Sequence, residues 1–183
     1  MHILVVYESS YGNTHLIADA IGEGLGAHDV VVVPVGKATR EDVQNADLVV
    51  VGGPTHAHGM SRQQTRQAAV DAAHAPGSQL ALDPDAEGEG LREWFATLGS
   101  IKVNAAAFDT RVSAPALITG RASKGISRQL RHHGFHEIAE SMSFIVTKDN
   151  HLADGQRAAA HQWGELLANT LTTAGAGAGS GDT

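Results

Sequence analysis

Hydrophobic positions in this chain fall into short unbroken runs and into stretches with three- and four-residue spacing, and the two kinds alternate. His2-Ile3-Leu4-Val5-Val6-Tyr7, Val30-Val31-Val32-Val33 and Leu48-Val49-Val50-Val51 are runs without polar alternation, as expected of strands covered on both faces. Leu16, Ile17, Ala20, Ile21 and Leu25 share one face of a helix predicted from about Thr14 to Leu25, which Gly26 ends. Gly52-Gly53-Pro54 is expected to stop the third strand, and Ser61 to cap a weakly apolar helix carrying Thr65, Ala68, Ala69 and Ala72. Leu91, Trp94, Phe95 and Leu98 predict a short helix with both aromatics in the core. Ala105-Ala106-Ala107-Phe108 predicts the fourth strand and Ile138 to Val146 the fifth. The helix between them carries Ile126 and Leu130, with Ser123 as N-cap and Gly134 as C-cap. Asp154 is placed to cap a last helix with Ala159, Trp163, Leu166 and Leu167 on one face.

Two segments fall outside this rhythm. Residues 75–90 are rich in Gly, Pro, Asp and Glu, too polar to pack and longer than an ordinary connection, so they are expected to form a mobile insertion or lid. Residues 174–183 are Gly, Ala, Ser and Thr with one Asp, an expected disordered tail. One domain over residues 1–173 remains. Strands alternating with helices predict an α/β three-layer sandwich whose parallel strands are joined by right-handed crossovers.

In such a sheet the loops after the strands gather at one carboxyl edge. The first, Ser9-Ser10-Tyr11-Gly12-Asn13-Thr14, offers hydroxyls, one Gly, one Asn and no cation at a helix start. That suits a phosphate held by hydrogen bonds and by the helix terminus. Glu8, before it, should point away from a dianion and is expected to be solvated. The second loop is Pro54-Thr55-His56-Ala57-His58-Gly59-Met60-Ser61, and the third is Asp109-Thr110-Arg111. Together they make a crevice.

Ser9, Gly12 and Thr14 match the [ST]-x-T-G-x-T loop that binds the FMN phosphate in flavodoxins, with Tyr11 where many members have Thr. The chain as a whole, over about residues 1–171, resembles a short-chain flavodoxin. That resemblance implies a five-stranded parallel sheet of order 2-1-3-4-5 and FMN as cofactor. By the same resemblance Ser9, Ser10, Gly12, Asn13 and Thr14 hold the phosphate, and Tyr11 belongs to the cofactor-binding residues beside them. Pro54, Thr55, His56, His58 and Gly59 line one side of the ring, and Asp109, Thr110 and Arg111 lie on the other. Arg111 is expected near the pyrimidine side, where reduced flavin carries its charge. Gly53-Pro54-Thr55-His56 also resembles the Pro-Thr loop of flavodoxin-like quinone reductases, which supplies backbone groups to the ring. The usual sandwiching aromatics are replaced by His56 and His58 in the second loop, and the third loop has no ring. The implied function is an electron carrier serving a redox partner protein or a small-molecule acceptor. An FMN-dependent NAD(P)H:quinone oxidoreductase, with His58, Met60 and residues 75–90 as a roof, and a flavin-free interaction module are the alternatives.

Composition narrows the field. A length of 183 residues, 42% of them hydrophobic, suits one domain with a single core, as a monomer or homodimer. The net charge of -7 argues against nucleic-acid binding and favours partners with a basic face. The absence of Cys excludes disulfides and thiolate chemistry. No leader precedes the first strand and no apolar run approaches ~18 residues, so a soluble, cytoplasmic protein away from the membrane is expected. His56 with His58, and His132 with His133 and His136, lack zinc-motif spacing, and no metal is expected. The histidines from His132 to His136 read as a solvated helix end. Arg62 and Arg66, one turn apart, read as a solvated face or as a contact for an anionic partner. A phospho-receiver is disfavoured because the third strand ends in Gly52-Gly53-Pro54 rather than in an acid. A dinucleotide-binding domain is disfavoured because the first turn lacks G-x-G-x-x-G.

Overall fold

A computed structural model describes residues 1–56, 58–113 and 120–178, with side chains described through residue 173. The central sheet is built on β1 (His2–Tyr7), flanked by β2 (Asp29–Pro34) and by β3 (Leu48–His56). Beyond β3 lie β5 (Asn104–Val112) and, at the far edge, the short β6 (His136–Glu137) and β7 (Met142–Val146), both paired with β5. All these strands run parallel, with Val5 opposite Val32 and Val50, and Val50 opposite Ala106. Counting β6 and β7 as one split strand, the order is the expected 2-1-3-4-5. A two-residue strand, β4 (Gly59–Met60), folds back antiparallel on β3.

Alternate residues of each strand point to opposite faces, and each face has its own apolar layer. Leu4, Val6, Val49, Val51, Ala105 and Ala107 meet α2 (Arg40–Asn45), α4 (Leu91–Leu98) and α5 (Ala122–His132). Ile3, Val5, Leu48, Val50, Ala106 and Phe108 meet α1 (Asn13–Gly24) and α6 (Gln156–Ala178). Trp94 and Trp163 are buried in these two layers, one in each. Gly52 is required where β3 crosses the Phe108 ring, since a Cβ there would come within 2.0 Å of it.

Several boundaries differ from the sequence reading. β3 does not stop at Gly52-Gly53-Pro54 but runs to His56, because pairing with β5 continues through Pro54 opposite Thr110 and Thr55 and His56 then pair with β4. Asp109, Thr110 and Arg111 are therefore strand, not loop. The fifth strand is interrupted between Glu137 and Met142. α2 lies in a polar stretch between the second and third strands where the hydrophobic pattern marks no element, and Thr39 caps it: its Oγ1 accepts the Asp42 N–H at 3.1 Å while the Asp42 carboxylate accepts the Thr39 N–H at 2.9 Å. Arg121, not Ser123, is the N-cap of α5, whose C-terminus turns at Gly134 (φ 89°) as expected. Arg62, not Ser61, precedes α3 (Gln63–His74), with Thr65 Oγ1 accepting its N–H at 2.8 Å. α6 continues to Ala178, into the expected tail, and residues 179–183 lie outside the described residues. No helix among the described residues is long and apolar enough to cross a membrane.

Residues 75–90 are not too polar to pack. Asp83 and Ala86 are buried, and the segment is seated beside the first loop. The Asp83 N–H donates to Ser10 O at 2.9 Å, the Asp83 carboxylate meets His15 Nδ1 at 3.1 Å, and Lys37 pairs with Asp85 at 3.1 Å.

Candidate functional site

The site is built where β1 ends and α1 begins. Ser9 Oγ accepts the Gly12 N–H at 3.0 Å, and Gly12 takes φ 87°, a left-handed conformation that closes the turn without side-chain strain. The first residues of α1 have no preceding helical turn to accept their N–H groups, so those of Asn13, Thr14 and His15 face outward. Thr14 Oγ1 lies 2.7 Å from Thr110 Oγ1, tying this turn to β5. Asn13 Nδ2 donates to both the backbone and the side-chain oxygen of Asn150, each at 3.0 Å. The loop is thus fixed before any ligand arrives.

On the far side of the turn, Ser10 Oγ is 3.5 Å from His56 Nε2. Burial holds the His56 imidazole below its ordinary value, and the Arg66 cation adds to this while Glu8 opposes it. Thr55 Oγ1 accepts the Ala122 N–H at 2.9 Å and so anchors α5 to the end of β3. These groups surround a crevice of about 230 Å³. Ten of the sequence-predicted residues line it: Ser9, Ser10, Tyr11, Asn13 and Thr14 on one side, and Pro54, Thr55, His56, Thr110 and Arg111 across from them.

Four candidates do not line it. Gly12 shapes the turn only. Asp109 is fully buried, and its Oδ2 accepts the Ser123 N–H at 2.8 Å, so it serves the N-terminus of α5 instead of the crevice. His58, at φ 72°, bridges to Gly120, and Gly59 is committed to the β3–β4 pairing. Ala57 lies outside the described residues. Tyr11 lines the crevice, but its hydroxyl donates to Ala69 O at 2.9 Å, which holds the ring toward α3.

Glu8 and Arg66 also depart from expectation. Glu8 is buried, and its Oε2 accepts the Leu91 N–H at 2.9 Å, capping α4. Arg66 is buried, pairing with Glu93 at 3.1 Å and reaching Ser61 Oγ at 3.4 Å, so it is not a solvated face. Burial alone would raise the Glu93 carboxyl, but hydrogen bonds from its own backbone, from Arg66 and from Gly90 outweigh it and hold the group low. His132 and His136 are exposed as expected, and the half-buried His133 has Nδ1 2.7 Å from Gly99 O. Among the described residues no three of His, Asp and Glu converge to hold a metal.

Val112, Val146 and Asn150 line the crevice and were missed. The signal was available, since the loop after the fifth strand must reach the same carboxyl edge as the others. Residues 75–90 contribute nothing to the lining, so they do not roof the crevice. Tyr7, beneath the turn, stacks on His15 with ring centroids 4.4 Å apart. Its hydroxyl is pushed far above its ordinary value by burial and then by Asp83, Asp85 and Asp19.

Residues 4–70 match the flavodoxin domain family. A flavodoxin from Aquifex aeolicus is 40% identical over 57 residues, which is 30% of this chain and 31% of that relative. The match therefore spans about a third of the curated relative's length. A solved flavodoxin from the domain Archaea superposes with a TM-score of 0.64 at 20% identity, over 94% of this chain and 99% of its own. The fold is flavodoxin-like. A WrbA-like flavodoxin structure from Agrobacterium tumefaciens also superposes, with a TM-score of 0.59 at 19% identity over 94% and 98% of the two chains. At such identities these structures show the flavodoxin fold and nothing finer.

Proposed function

We propose that this flavodoxin-like protein binds FMN in the crevice and acts as an electron carrier. The observation that carries the reading is the first turn of α1, whose N–H groups and Thr14 hydroxyl open onto the crevice. The residues present fit the phosphate end of FMN: several donors converge, the helix terminus favours an anion, and a Cβ added to Gly12 would meet nothing nearer than Asp83 Oδ2 at 3.9 Å. Ser10, Asn13 and Thr14 would hold the phosphate. Thr110 can donate to Thr14, which frees the Thr14 proton for the ligand. Pro54, Thr55 and His56 would border one side of the ring, and Arg111 with Val112 the other.

When bound, FMN supplies one- and two-electron redox chemistry through its ring. The chain's own part is to bind, orient and bias. Neutral His56 adds no charge beside the ring, whereas the Arg111 guanidinium favours negative charge there. No residue is required as a general acid or base for carrier function.

The seating of residues 75–90 favours a carrier over a reductase, because the roof expected of that segment in a reductase is not among the residues lining the crevice. The test is to load the protein with FMN, record its visible spectrum, and add NADH or NADPH with a quinone acceptor. A flavin spectrum without steady nicotinamide consumption is expected. Turnover of either nicotinamide would make the protein a reductase, and failure to retain FMN would overturn the cofactor reading.

A further inference from the structure

Residues 110–136 hold five of the thirteen Lys and Arg of the chain and none of its 20 Asp and Glu. Four of the five fall on one side of α5. Arg121, Lys124, Arg128 and Arg131 are three or four residues apart, the spacing that aligns side chains along one helix face, and all four are exposed. They form one wall of a groove of about 720 Å³ whose other wall includes Glu137 and Glu140. Arg131 is paired with Glu137. Arg121, Lys124 and Arg128 form no ion pair among the described residues. In a chain of net charge -7 this is a local reversal of sign.

The stripe is joined to the crevice. Ala122, the first residue of α5, donates its N–H to Thr55 Oγ1 on the crevice wall, and Gly120 bridges to His58. From Arg121 to Arg131 the stripe extends ~15 Å down the helix, far more than one phosphate needs and about the width of a small docking patch. We infer that this face docks the acidic surface of a partner protein, placing that partner beside the mouth of the crevice. That the partner exchanges electrons rests on the proposed function; that it is acidic rests on the stripe alone. The inference reverses the expectation from net charge, which pointed to a basic partner. The fixed cations of α5 steer an acidic surface toward the crevice while the acidic remainder of the molecule repels it from other faces.

Poly-L-glutamate is the probe, titrated against the full chain by calorimetry with and without FMN. Binding is expected to weaken steeply between low and high salt. The R121E/K124E/R128E variant should bind at least about tenfold more weakly, equivalent to ~1.4 kcal/mol. R40E/K102E/R157E, with the same change of net charge on other faces, should bind like the parent. Circular dichroism of both variants establishes that they are folded. Absence of parent binding, or equal losses in the two variants, would overturn the proposal. So would tighter stripe-dependent binding of NADPH, of a dT oligonucleotide or of phosphatidylserine vesicles. Loss of FMN binding with poly-L-glutamate binding retained would sink the cofactor reading and leave this one standing.

Discussion

Thr14 shows how much one hydroxyl does at this site. It is buried 2.7 Å from the Thr110 hydroxyl, and when Thr110 donates to it the Thr14 proton is left for a phosphate oxygen. A hydrogen bond to a charged group contributes ~1.5–3 kcal/mol, so Thr14→Val should weaken FMN binding by about one to two orders of magnitude. Flavin fluorescence titration measures this, with circular dichroism showing an unchanged fold. A glutamate at the same position would be a poorer probe, because it would bury a charge. His56 carries the second residue-scale prediction. Its folded-state value is depressed, chiefly by burial, so as pH falls the unfolded chain takes up the proton first. Stability is therefore complete above ~6.5, the unfolded value, and is lost progressively as pH falls from there toward the depressed folded value. Urea midpoints at pH 7 and pH 5 should differ less in His56→Gln than in the parent. An equal difference would place the acid sensitivity elsewhere.

At the scale of elements, the 75–90 segment behaves as a strap on α1 and not as a cover. Its hold depends on Asp83, which faces His15 while its own N–H bonds Ser10. Asp83→Ala should raise proteolytic cleavage within residues 75–90 by roughly several-fold, in line with local opening. It should not lower FMN affinity, since it removes a carboxylate from beside the phosphate turn. A large loss of affinity would mean that the segment shapes the crevice after all. The helices α1 and α6 make a second element-level contact through glycines. A Cβ on Gly164 would lie 2.3 Å from Ile21 O, and one on Gly24 would lie 2.0 Å from His161 O. Gly164→Ala should push the helices apart and destabilise the fold by about 1–3 kcal/mol in denaturant titration. An unchanged midpoint would show that the contact yields easily.

At the scale of the molecule, the strand pattern was legible because both-face burial leaves unbroken runs such as Leu48 to Val51, although Val30 to Val33, read the same way, lies on the edge strand β2 with Val31 exposed, and the sheet order came from the resemblance those elements support. The site was legible wherever local chemistry decides the role, as at Ser9 to Thr14. It was not legible where a distant partner decides. Asp109 reads as a crevice acid until Ser123 arrives from α5 to claim it, and Glu8 reads as solvated until the N-terminus of α4 covers it. Arg66 is buried by Glu93 from another helix. The position of Asn150 at the carboxyl edge could have been read from the loop after the fifth strand, but its pairing with Asn13, far away in sequence, could not. Sequence spacing carries no record of such tertiary pairings.

The account's central claim is that the first turn of α1 holds a phosphate. Titrating FMN and riboflavin separately against the protein, and following flavin fluorescence, tests it directly, since the two ligands differ only in that group. Several charge-assisted hydrogen bonds are lost with the phosphate, so FMN should bind at least about a hundredfold more tightly than riboflavin. Equal affinity for the two flavins would contradict the claim.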